Sequence, residues 1–150
     1  ETVMAVHHLQ MGDDRAEHLG KGCKVLVHNL RSVDFPVLRD ALDCWTAGDI
    51  LGKEDAVIDT KLLVNKAALA FGKVDTSLGM LVKQTFDDSK LMNSSDAPVA
   101  WRAGKYDEVA KYCLSDAQLT YDLYQFGKAE GHILSRSLDT GEVVEIEVDW

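Results

Sequence analysis

Tyr112 and Asp116 place a phenol and a carboxylate four residues apart in the stretch Lys111-Tyr112-Cys113-Leu114-Ser115-Asp116. On a helix these positions share one face. A carboxylate at the edge of a core is either part of a site or a structural group, with Tyr112 packed and Asp116 paired to Lys111 or Arg31. A second polar constellation, Asn29 to Asp34, follows the apolar run Lys24-Val25-Leu26-Val27-His28. Asn29 and Ser32 fit a loop leaving a strand, and Asp34 fits a helix N-cap ahead of Pro36.

These groups need elements to hold them. Val109, Cys113, Ala117, Thr120 and Tyr124 recur at helical spacing, which predicts a long helix from Tyr106 to Gly127 with Tyr112 and Asp116 on or beside the edge of its core-facing stripe. Lys24 to His28 reads as a strand covered on both faces, and Ala56 to Thr60 as another short strand ending in a polar pair. Val3 to Leu9 has strand character too. Lys61 to Phe71 and Thr76 to Phe86 read as helices, the second opening on cap-type residues, and a short helix starts at Pro98. Asp87 to Ala97 is a polar loop, and Leu138-Asp139-Thr140-Gly141 is the turn of a closing β-hairpin. Strands alternating with helices and an antiparallel end predict one α/β domain over residues 1–150, with a mixed sheet flanked by helices.

Composition narrows the function classes. A net charge of −9 disfavours a nonspecific coat on nucleic acid, whose affinity comes from Lys and Arg on phosphate, but does not exclude an enzyme that acts on nucleic acid through divalent ions held by clustered carboxylates. Cys23, Cys44 and Cys113 are widely spaced and odd in number, against a disulfide framework or a thiolate zinc site. His7 and His8 are adjacent and would point to opposite faces of a strand, so they cannot chelate one ion together. No apolar run reaches the length of a membrane span and no signal peptide is visible, so the expectation is a soluble, cytoplasmic protein that makes no membrane contact; the start at Glu1 suggests a missing N-terminal piece.

Asn29-(three residues)-Val33-Asp34 resembles the second motif of ribonuclease-H-like 3′-5′ exonucleases, and Tyr112-(three residues)-Asp116 resembles the third motif of their tyrosine-containing subgroup. The flanks, including Val57-Ile58-Asp59-Thr60 and Thr120 to Gly127, are similar to those of predicted bacterial exonuclease-domain proteins. The resemblance implies a ribonuclease-H-like fold and hydrolysis of phosphodiesters at single-stranded DNA or RNA 3′ ends. It also implies a carboxylate site for two Mg²⁺ or Mn²⁺ ions, one activating water and one stabilising the leaving oxygen. Carried over to this chain, Asp34 and Asp116 are metal carboxylates, and Tyr112 orients the attacking water. Asn29 shapes the turn or meets substrate, and Lys83, Lys90, Arg102 and Lys105 either line a substrate groove or are solvated charges. Trp101, Phe35 and Tyr106 either stack on bases or belong to the core.

The family's first motif, Asp-x-Glu, does not occur upstream of Asn29. Glu1-Thr2 resembles its tail, which makes Glu1 a metal ligand and leaves the fold without its first strand. Alternatively, Val3 to Leu9 takes that strand's place and sets Gln10 or Asp13 near the site. An incomplete carboxylate set holds metals poorly, so the expected turnover is weak or absent. The alternative is a catalytically silent module that binds nucleic acid or a protein partner.

Overall fold

The computed structural model describes residues 3–5, 24–29, 57–93 and 95–150, and is mixed α/β. Strands β1 (Val3–Ala5), β2 (Lys24–Val27) and β3 (Val57–Asp59) form a parallel sheet in the order β1-β2-β3. Leu26 and Val27 are consecutive, so they face opposite sides, and both are buried. That is the double covering expected from the Lys24 to His28 run.

Among the described residues four helices follow: α1 (Thr60–Ala68), α2 (Leu78–Phe86), α3 (Ala97–Arg102) and α4 (Tyr106–Glu130). Asp59 caps α1, accepting from the backbone N–H of Lys61 and Leu62, and a single 3-10 turn at Leu69–Phe71 extends it to Gly72. Ser77 caps α2 by accepting from the Met80 N–H. In α4, Asp107 and Glu108 lie in the first turn and Lys128 in the last, each matched to the helix dipole. The helix stops at Gly131, whose φ of 74° is left-handed.

The chain closes with β4 (His132–Arg136) and β5 (Val143–Glu147), an antiparallel hairpin. Its turn is tied by Ser137 Oγ, which accepts from the N–H groups of Asp139 and Thr140. The expectation of one mixed sheet is corrected here: among the described residues the hairpin is a sheet of its own. The cause is a local claim on its hydrogen bonds. Asp75 N–H donates to the Arg136 carbonyl, Leu138 N–H donates to the Lys73 carbonyl, and Thr85 Oγ1 both accepts from and donates to the Leu134 backbone. The hairpin instead covers helices, with Ile133 and Ile146 meeting Val64, Leu81, Val82, Leu119 and Leu123 in the main core.

The end of the chain locks onto α4. Trp150 stacks on Tyr124 and donates its indole N–H to the Tyr124 carbonyl at 2.9 Å. A Cβ at Gly127 would lie 2.5 to 2.8 Å from the indole ring, closer than a real contact permits. Gly127→Ala should therefore cost about 1–3 kcal/mol in urea unfolding, as overpacking does. In a Trp150→Ala background the same change should be nearly neutral, because the clash is gone.

Candidate functional site

The buried face of α4 is Val109, Tyr112, Asp116, Leu119, Thr120, Leu123, Tyr124 and Gly127. Tyr112 and Asp116 thus lie within the stripe and not at its edge, while Cys113 and Ala117 are only half-buried. The helix is turned relative to the apolar pattern so that a carboxylate, 2% exposed, faces inward. A carboxylate so deeply buried requires a compensating cation.

That cation is Lys90, from the irregular segment between α2 and α3. Its Nζ stands 2.5 Å from Asp116 Oδ2, donates to Tyr112 Oη at 3.1 Å, and lies 5.0 Å from the centre of the Tyr112 ring. Its stem reaches the site past Gly79, where a Cβ would come within 3.4 Å of Lys90 Cδ. Burial disfavours the ammonium, but the Asp116 carboxylate and the Tyr112 hydroxyl outweigh it and push the Lys90 pKa up. Lys90 is therefore held charged. Pairing of Asp116 with Lys111 is replaced by this contact, and Lys111 is exposed; Arg31 lies outside the described residues.

α4 packs against β1 and β2, and the carboxyl ends of β2 and β3 carry a second polar group. Asn29 has a left-handed φ of 73°, which turns its N–H onto Asp59 Oδ1 at 2.9 Å. The same oxygen takes the N–H groups of Lys61 and Leu62. Asp59 is 5% exposed, and its Oδ2 is buried without a hydrogen-bond partner. Asn29 is thus held at this turn through its backbone N–H.

His28 completes this edge. The Thr60 hydroxyl donates to the Val27 carbonyl at 3.0 Å, so it accepts from His28 Nδ1 at 2.9 Å. The tautomer follows: Nδ1 carries the proton and Nε2 a lone pair, buried without a hydrogen-bond partner. Burial is the main reason the ring's pKa falls from 6.5 to about 4. Lys61 and Lys90 push the same way, while Asp59 and the Thr76 carbonyl oppose it. Lys90 is thus close enough to act on both polar groups.

The structure brings Tyr112, Asp116 and Lys90 together. Asp34 and Glu1, the other carboxylates expected to hold metal, lie outside the described residues, as do Phe35, Gln10 and Asp13. Among the described residues no three His, Cys, Asp or Glu side chains form a metal-binding group. Asp116 Oδ2 holds the Lys90 ammonium, so that oxygen is already matched by a cation. Lys83 and Lys105 are engaged on the surface with Asp87 and Glu108. Trp101 and Tyr106 are not core: they are 54% and 55% exposed and meet edge-on with ring centres 4.7 Å apart. No described helix is long and apolar enough to cross a membrane.

Sequence reasoning attached no site role to His28 or Asp59. The signal was there in Asp59-Thr60, a polar pair closing a strand and opening a helix, one strand away from His28-Asn29. Neither a family model, nor a curated protein, nor a solved structure matches the chain.

Proposed function

We propose that this chain is a ribonuclease-H-like domain that acts, with Mg²⁺ or Mn²⁺, as a 3′-5′ exonuclease on single-stranded DNA or RNA ends. The observation that carries the reading is Asp116, a carboxylate buried on α4 one helical turn from Tyr112. Burying such a charge costs desolvation energy even when it is paired, and buried ionisable groups of this kind cluster at functional sites.

In this reading Asp116 is a metal ligand, joined by Asp34 and Glu1 as the resemblance implies. Bound metal supplies the charge that activates water and stabilises the leaving oxygen. Tyr112 holds the water in line through its hydroxyl. The left-handed turn at Asn29, at the end of β2, is held by Asp59. Trp101 and Tyr106 offer exposed rings on which unpaired bases can stack.

The Lys90–Asp116 contact favours the second reading, a catalytically silent module that binds a strand without cutting it. A 5′-labelled single-stranded oligonucleotide incubated with the protein and Mn²⁺ separates the two. The exonuclease reading expects slow, stepwise shortening from the 3′ end. A retarded band of unchanged length supports the silent module, and neither shortening nor retardation rejects both.

A further inference from the structure

The outer edge of β5 is an open sheet edge on an acidic surface, and we infer that it is a docking site for a protein partner that adds an extended, lysine- or arginine-rich strand to the hairpin. The surface is separate from the Tyr112–Asp116 pair: the hairpin begins past the far end of α4, roughly 25–30 Å from Tyr112 along the helix.

The alternation of the β4–β5 ladder shows which groups are open. Val148 N–H donates to the Gly131 carbonyl and Ser137 N–H to the Glu142 carbonyl, so Ile146 and Val144 are the residues that bond across to Ile133 and Ser135. Val143, Glu145 and Glu147 then turn their N–H and C=O groups away from β4. On β4 the matching outward set is occupied, by Thr85 at Leu134 and by Asp75 at Arg136. On β5, among the described residues, no hydrogen bond reaches it, and Val143, Glu145 and Glu147 are all exposed. Such a row is a template for another strand, whose main chain supplies affinity while its alternate side chains supply choice. Charge makes the choice here. Glu145 and Glu147 stand on the solvent face of the hairpin, opposite the buried Ile146. With Glu130, Asp149 and His132 they line an open cavity of about 470 Å³. A second copy of the chain is a poor occupant, because β5 laid against β5 about a two-fold axis sets Glu145 directly opposite Glu145 or Glu147, and facing like charges destabilise a strand pair. A nucleic-acid strand meets the same repulsion. Basic side chains at alternate positions of an incoming strand instead face Glu145 and Glu147, and the cavity has room for a long basic side chain among its carboxylates.

The probe is a fluorescent, end-capped peptide of alternating lysine and valine, about seven residues long to match one strand, titrated with the full chain and read by anisotropy. It should bind, and Glu145→Gln combined with Glu147→Gln should weaken it about tenfold at low salt. Both substitutions lie on the exposed face and leave the core untouched. A strand added to β5 turns one alternate set of its N–H groups toward the edge, so N-methylation of that set should abolish binding while N-methylation of the other set spares it. Equal binding by the two methylated peptides reduces the contact to plain charge attraction and overturns the inference, as does a parent peptide that fails to bind. A dimer in sedimentation velocity whose Glu145 and Glu147 amides are protected from hydrogen exchange assigns the edge to a second copy, which overturns it as well.

Discussion

Lys90→Met, measured without metal, should lower the unfolding free energy by about 3–5 kcal/mol, the usual cost of stranding a buried charge. The pair is asymmetric, which makes the prediction specific. Asp116 is 2% exposed on a rigid helix and cannot reach water, whereas the Lys90 side chain is 15% exposed and sits on a flexible stem. Asp116→Asn should therefore cost less, about 1–2 kcal/mol, because the orphaned ammonium can extend into solvent. Lys90→Met combined with Asp116→Asn should lose less than Lys90→Met alone, since no uncompensated charge remains. Urea unfolding of the three variants gives the interaction energy directly. A loss below about 1 kcal/mol in Lys90→Met would place the contact among ordinary surface ion pairs, and the structural account of Asp116 would fail.

His28 should make the fold acid-sensitive. Its folded pKa is lowered to about 4, so between that value and 6.5 the unfolded chain binds a proton that the folded chain refuses. More protons on the unfolded side means that stability rises with pH through this window. The contribution is complete above about 6.5 and is lost progressively as the pH falls toward 4. A shift of this size corresponds to about 3 kcal/mol. His28→Gln keeps a donor for the Thr60 hydroxyl and removes the titration, so its unfolding free energy should fall much less between those pH values. The groups facing the ring that also act on its charge are Asp59, Lys61, Lys90 and the Thr76 carbonyl. A wild-type and a variant profile of equal slope would show that the ring is protonated in the folded protein.

Local chemistry was the legible part of this chain. The hairpin turn at Asp139-Thr140-Gly141, the Ser77 cap and the long helix from Tyr106 were all readable, because each depends on residues within a few positions of one another. The orientation of α4 was not. Cys113 and Ala117 look more apolar than Asp116, so the pattern drew the stripe through them. What brings Asp116 inside is a lysine from a segment 22 residues before Tyr112, a contact with no periodic signature. The separate hairpin sheet has the same explanation. Its pairing is decided by Thr85 and by the segment around Asp75, neither of which announces a strand partner. Lys90 was read as one of several basic residues with two open roles, and its sequence context could not say that it would cover the carboxylate. The Asp59 contact to the Asn29 backbone spans 30 residues and became visible only once β2 and β3 were aligned.

The claim on which the rest depends is that Asp116 belongs to a hydrolytic site. The most direct test is a single-turnover comparison of wild type and Asp116→Asn on a 5′-labelled single strand in Mn²⁺, with folding of both checked by circular dichroism. The account predicts slow 3′ shortening by the wild type and a loss of about 100-fold or more in the variant, the scale on which catalytic groups act. Shortening at the same rate by both proteins would contradict it.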